Sequence, residues 1–220
     1  MKTFTTIVLC LLILSACKKD AISINETPTQ STTERPSTAS RIYSSYPASV
    51  PAGIFTTYTI PAGQHYSDKN IRRALILNSM PFVARFNTSA IYINSNPINM
   101  NDINMLYGFS EGPDHQLHSA RIGWNFSNGL LRLFAYTYRH GVVQAQFITS
   151  AAIGTDINCN ISFEGFTSAT SRYVFNVNGV VVKLPRASFT TNTSGYQLYP
   201  YFGGTEVAPH NITIAIKNML

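Results

Sequence analysis

From residue 51 onward, apolar and polar side chains alternate with period two in short runs, and no i, i+3, i+4, i+7 stripe persists. The runs fall at 55–60, 74–77, 82–86, 90–93, 121–126, 130–138 and 142–149, then at 160–164, 173–177, 180–184 and 212–216. Gly, Asn and Pro punctuate them. Strands this short and this regularly spaced predict an all-β domain over residues 51–220, built as a two-sheet antiparallel sandwich or barrel.

The stretch from Ser119 to Thr149 can be paired residue by residue. Asn128-Gly129 fits a two-residue type I′ turn, since both residues tolerate positive φ. That turn sets Phe126 against Leu131, Trp124 against Leu133 and Ile122 against Ala135, an apolar side. The other side carries Arg121, Gly123, Asn125, Arg132, Phe134, Tyr136 and Tyr138. For the next turn, a three-residue loop Arg139-His140-Gly141 with Gly141 left-handed pairs Tyr138 with Val142. It places Gln144 and Gln146 on the polar-aromatic side. A two-residue His140-Gly141 loop would instead turn both glutamines inward, at a cost of several kcal/mol if they found no partners. The three-residue register is therefore expected.

A face holding Arg121, Asn125, Arg132, Tyr136, Tyr138, Gln144 and Gln146 suits a polysaccharide chain. Tyrosine rings stack on sugar C–H surfaces, arginine forks grip carboxylates or sulfates, and amides reach hydroxyls. The competing reading is a loop or the N-terminal segment lying over this face and satisfying its polar groups. A second hairpin at Asn178-Gly179 pairs Val177 with Val180 and Phe175 with Val182, and is core construction.

The first 50 residues follow a different pattern. After Lys2, an eight-residue apolar run (7–14) leads into Leu14-Ser15-Ala16-Cys17. It is too short to span a bilayer as a mature helix. The motif resembles the bacterial lipobox, which implies removal of residues 1–16 as a signal peptide and acylation of Cys17. Membrane attachment through lipid on the new N-terminus would follow. Lys18-Lys19-Asp20 resembles the charged export signals of Bacteroidota lipoproteins, implying an outer-membrane or cell-surface location. Residues 17–50, rich in Ser, Thr and Pro, cannot bury enough surface to offset ordering entropy and read as a disordered tether.

Charge and cysteine content narrow the partners. The formal net charge is +6, and from residue 51 onward 11 basic and seven acidic side chains remain. That balance suits acidic ligands, but the basic residues are scattered and no nucleic-acid motif appears. With Cys10 in the leader and Cys17 lipidated, Cys159 stands alone, which excludes a disulfide framework in the mature chain. Its period-2 setting reads as a packed thiol.

The run Tyr196-Gln197-Leu198-Tyr199-Pro200-Tyr201-Phe202-Gly203-Gly204, continuing to Ile212, resembles a signature of bacterial jelly-roll domains. These are similar to the concanavalin-like sandwiches of polysaccharide lyases and lectins. Ala135-Tyr136-Thr137-Tyr138-Arg139-His140-Gly141 resembles their aromatic strand, and Ile60-Pro61-Ala62-Gly63-Gln64-His65-Tyr66 their early turn. The resemblance implies a two-sheet jelly roll whose concave sheet carries a polysaccharide groove, with Tyr201 and His210 as further candidate contacts. It transfers no activity, because one fold hosts many.

Carbohydrate binding is thus the leading expectation, with a lyase on a uronate polymer and a non-catalytic adhesion protein as alternatives. Lyase chemistry needs a carboxylate neutraliser, a base and an acid. Arg121, Arg132 and the tyrosines could supply these, yet none of His65, His115, His118, His140 or His210 falls on the predicted face, and only a folded-over loop could bring one there. Hydrolase chemistry lacks an evident carboxylate pair. His115-Gln116-Leu117-His118, near Glu111 and Asp114, is the one metal-like spacing, and it reads as a loop. No metal or other cofactor is expected.

Overall fold

The computed structural model describes residues 53–70 and 73–220; the leader, Cys17 and the Ser/Thr/Pro segment lie outside the described residues. The described chain is all-β: β1 (Phe55–Ile60), β2 (Ala74–Leu77), β3 (Ser79–Phe86), β4 (Asn104–Ser110), β5 (His118–Ser127) and β6 (Leu130–Arg139) come first. Then follow β7 (Val142–Ala151), β8 (Asp156–Glu164), β9 (Arg172–Val177), β10 (Val180–Pro185), β11 (Thr193–Leu198) and β12 (Ile212–Asn218). They form two six-stranded antiparallel sheets, ordered β1-β12-β3-β8-β9-β10 and β2-β11-β4-β5-β6-β7. Of the sandwich and barrel that the strand pattern left open, this is the two-sheet sandwich, and it has the jelly-roll form that the resemblance implied.

Each sheet turns one side chain in two toward the other. Tyr58, Ile60, Phe82, Phe86, Ile161 and Phe175 from the first meet Leu106, Tyr107, Ile122, Trp124, Leu133 and Ala135 from the second. Trp124 packs 5.0 Å from Phe86 and edge-on to Tyr92 at 5.8 Å. Each large apolar side chain buried here contributes about 1.5–3 kcal/mol. β1 lies beside β12, with Phe55 opposite Lys217. The Gly53 amide donates to the Asn218 carbonyl at 2.8 Å, so the two ends of the described chain share a corner.

The β5–β6 pairing matches the expected register from Ser127–Leu130 to His118–Arg139. The β6–β7 register does not. The turn is two residues, with His140 at φ 52° and Gly141 at φ 75°, and it pairs Tyr138 with Val143 and Ala135 with Gln146. Gln144 and Gln146 therefore share the inward side with Ala135 and Thr137, while Val143, Ala145 and Phe147 join Tyr136 and Tyr138. Two features make this tolerable. β7 is an edge strand, so its inward side is only half-buried at the glutamines. A bulge beyond Phe134 then restores the apolar pattern by returning Ile148 to the core.

Three other segments depart from expectation, β11 among them, since no alternating run marks residues 193–198. Residues 90–93 keep their alternation, with Ala90 and Tyr92 buried and Ile91 and Ile93 exposed, but they follow a 3-10 turn (Thr88–Ala90) and join no ladder. β4 escaped the pattern search because every residue in it is buried, so nothing alternates.

Candidate functional site

The outward face of β4, β5, β6 and β11 divides into a covered half and an open half. In the covered half, Ile103 lies on Gly123, where an added Cβ would come within 2.4 Å of the Ile103 Cγ2. Phe134 beside it is fully buried. Asn125 is 0% exposed, and its Nδ2 donates to the Asn101 carbonyl at 3.3 Å. Ser127 donates to the Asn101 side chain at 3.4 Å. Arg132 lies over Phe134 and Phe147, 5.3 and 5.4 Å from their ring centroids. Here the expected covering loop exists, and it removes Asn125 from any ligand.

The open half is a cleft of about 510 Å³ lined by Arg121, Tyr136, Tyr138, Tyr196, Gln197 and His115, among others. Arg121 comes from β5, the paired tyrosines from β6, and Tyr196 and Gln197 from β11. The wall after β11 is the 199–204 segment. Tyr201 exchanges two backbone hydrogen bonds with Met105, at 2.8 and 3.0 Å, and so lies against β4 like a short extra strand. Gly203 is needed because its backbone passes so close to Ile103 that a Cβ would stand 2.1 Å from that carbonyl oxygen. Tyr201 is held between His65, stacked at 5.3 Å, and the edge of Tyr66 at 5.0 Å. Tyr66 itself is 62% exposed at the rim.

The chemistry of the cleft centres on Arg121. It is 8% exposed, forms no ion pair among the described residues, and its Nε meets no hydrogen-bond partner. Burial lowers its pKa from the ordinary value, and the neighbouring hydroxyls of Tyr136, Tyr138, Tyr196 and Tyr201 oppose that shift. A buried cation left in this state is held open for an anion. Burial, with Tyr138 adding to it, pushes the Tyr136 phenol far above its usual range, so it remains a proton donor. Tyr136 and Tyr138 pack edge to face at 5.9 Å.

His115 is carried into the cleft by the loop between β4 and β5. Its Nδ1 lies 2.8 Å from the Tyr196 hydroxyl. Burial lowers its pKa, the Arg121 charge lowers it further, and Asp114 only partly opposes them. It is therefore a neutral imidazole at pH 7, able to accept a proton. Gln197 is buried and donates through Nε2 to the Tyr107 hydroxyl, while its Oε1 has no hydrogen-bond partner.

Of the residues expected on a ligand-binding face, Arg121, Tyr136 and Tyr138 line the cleft and Tyr201 joins them. Asn125 is sealed, Arg132 stands over the covered half, and Gln144 and Gln146 are on the other side of the sheet. His210 lies elsewhere, its Nε2 2.8 Å from the Ser89 carbonyl. His115, Tyr196 and Gln197 were not foreseen as site residues. Of the two histidines in the His115–His118 spacing, only His115 lines the cleft; His118 accepts from the His140 amide at 3.3 Å. Among the described residues no three His, Cys, Asp or Glu side chains gather as a metal site. Cys159 is buried in the core, which drives its thiol pKa upward.

No family model and no curated protein matches this chain. Solved structures do. The alginate lyase Aly36B superposes with a TM-score of 0.50 at 14% identity, covering 74% of this chain and 78% of that one. An endo-β-1,4-glucuronan lyase from the fungus Trichoderma reesei gives 0.44 at 8% identity over 74% and 77% of the two chains. The carbohydrate-binding module CBM66 from Bacillus subtilis gives 0.33 at 8% identity over 77% and 96%. The likeness to the first is one of fold alone, a two-sheet jelly roll.

Proposed function

We propose that this protein binds an acidic polysaccharide in the cleft over β5, β6 and β11 and cleaves it by β-elimination, as a lyase. The observation that carries this reading is Arg121, a nearly buried guanidinium on the cleft floor with no counter-ion among the described residues. A uronate carboxylate is the complementary group, planar and able to accept two parallel hydrogen bonds. The alginate lyase that shares the fold has alginate, an acidic polysaccharide, in its name. His115 sets elimination ahead of simple binding, because it adds a neutral base to a cleft already holding tyrosine donors.

The chemistry is balanced within the cleft. Arg121 neutralises the carboxylate and so acidifies the carbon next to it. That C–H bond breaks and its proton passes to His115, kept neutral by burial and by Arg121. The electron pair forms a double bond to the adjacent ring carbon as that carbon's bond to the glycosidic oxygen breaks. Tyr138, beside the firmly protonated Tyr136, returns a proton to the leaving oxygen.

The test is to incubate the full-length chain with alginate, glucuronan and a neutral glucan. The readouts are the ultraviolet absorbance of the unsaturated product and retardation in polysaccharide-containing gels. Absorbance growth with the acidic polymers alone, lost in His115→Ala, supports the lyase. Retardation without product leaves a binding protein, and neither signal overturns both readings.

We further propose that the chain is displayed at a cell surface by lipid on Cys17, on the strength of Leu14-Ser15-Ala16-Cys17 following an apolar run. Labelled palmitate should enter the wild type and not Cys17→Ser, and surface protease should reach the intact protein on whole cells.

A further inference from the structure

A buried polar network stands behind the cleft and touches none of its contents. Glu111, the first residue after β4, turns its carboxylate inward to Arg186, which follows β10 on the opposite sheet. Arg186 is 0% exposed. Its Nη2 and Nε donate to the Glu111 Oε1 at 2.5 and 3.0 Å, and the Tyr173 hydroxyl donates to the other carboxylate oxygen. The same guanidinium donates to the Thr190 carbonyl at 2.5 Å and to the Asn192 carbonyl at 3.2 Å. Its flat side is covered by Phe163, 3.8 Å from the ring centroid.

Each end of this network leads to one member of the His115–Tyr196 pair. Glu111 opens the loop that carries His115 into the cleft, and its own amide donates to the His118 carbonyl at 2.9 Å across the loop's base. Thr190 and Asn192 belong to the segment that leads into β11, the strand that carries Tyr196. The two roots are also joined directly. The Gly112 amide donates to the Ser194 carbonyl at 2.8 Å, and the Tyr196 amide to Ser110 Oγ at 3.0 Å. One planar group with five fixed donors therefore sets the spacing of two loops at once.

We infer that Glu111 and Arg186 are positioning residues that hold His115 in register with Tyr196, so that the buried ion pair fixes the ring of the cleft's base through its contact with the Tyr196 hydroxyl. The inference rests on the proposed role of this cleft, but its primary readout does not require turnover. A buried pair of this kind is weak evidence for stability alone, since apolar residues often serve as well. Here its bonds go to the two segments that a functional His–Tyr contact needs aligned.

The experiment follows the His115 imidazole by nitrogen-edited NMR in the full-length protein, as wild type, Glu111→Gln, Arg186→Lys and Phe163→Leu. Phe163→Leu uncovers the guanidinium without removing a hydrogen bond, and so controls for stability loss. Glu111→Gln and Arg186→Lys are expected to lose the fixed ring tautomer and to titrate closer to the ordinary His value of 6.5, while Phe163→Leu keeps the wild-type signature. The sign is diagnostic: direct loss of the Glu111 charge would lower a histidine pKa, whereas loosening the loop raises it. On an active wild type, the same two variants should lose at least tenfold in kcat with KM changed less than threefold. A wild-type His115 signature and kcat in folded Glu111→Gln would overturn the inference. A wild type that makes no product, with the NMR effect intact, would instead overturn the lyase reading.

Discussion

The two halves of the outward face on β5 and β6 begin from similar residues and reach opposite ends. Arg121 and Tyr136 are directly paired, as are Asn125 and Arg132, and all four point to the same side. Over the second pair the 97–103 segment closes down, with Asn101 supplying hydrogen bonds to Asn125 and Ser127 and Ile103 filling the space above Gly123. Over the first pair no described segment closes down in this way, and Arg121 keeps an unpartnered Nε beside a cleft. The difference teaches that an aromatic, basic sheet face is not itself a site. Asn125 Oδ1 also lacks a partner, yet it is sealed; what sets the first pair apart is a buried charge that borders an open cleft.

The sharpest way to break this comparison is Arg121→Met. Loss of a buried cation that meets a ligand anion is expected to weaken acidic-glycan binding on the order of 100-fold or more. Thermal stability should hold or rise, because an unpaired buried charge is a desolvation cost that methionine removes. Calorimetric binding and a melting curve on the same sample check this, and a parallel fall in both would place Arg121 in the scaffold.

The covered half should answer in stability. Gly123→Ala forces a methyl against Ile103 and is expected to cost about 1–3 kcal/mol. The denaturation midpoint should fall with an unchanged m-value, and glycan affinity should move less than tenfold. Next in size is the response to pH. Burial holds the His115 and His118 pKa values below the ordinary value in the folded chain. As pH falls through the ordinary histidine range the unfolded chain therefore binds protons first, and stability drops. Above that range the two contribute nothing. His115→Gln should flatten part of that slope, and the acid limb of any activity should lie below the usual histidine range.

The smallest effects sharpen the contrast between the two arginines and between the two sides of β7. Arg132→Ala, over the covered half and away from the cleft lining, should weaken binding less than tenfold, in line with a partly solvated charge worth about 1 kcal/mol or less. Gln144→Ala and Gln146→Ala should leave affinity within about twofold, since both face inward. A strong loss in either glutamine variant would restore the three-residue turn and the register that goes with it.

Much of this molecule was legible where local chemistry dictates geometry. Asn128-Gly129 admits one tight turn, and every pair of β5 and β6 follows from it. β6 against β7 was misread because the cost of burying glutamines was judged for a central strand, while β7 lies at an edge and carries a bulge. β4 was missed because a strand buried on both sides has no period to detect. The cleft was half-legible: Arg121, Tyr136 and Tyr138 share a strand-pair face that alternation reveals. His115 and Tyr196 come from a loop and a distant strand, and nothing local announces that Glu111 and Arg186 bring those segments together.

The pairing of β1 with β12 carries a practical corollary for attachment. Whatever precedes Gly53 and whatever follows Leu220 depart from one corner, on the sheet that does not bear the cleft. A fluorescent protein or affinity handle fused after Leu220 would sit near Gly53, at the start of the described chain, and leave the mouth around Tyr66 unobstructed. The same geometry permits joining the two ends with a short linker and reopening the chain elsewhere, at the exposed Asn178-Gly179 turn for instance, without redrawing either sheet.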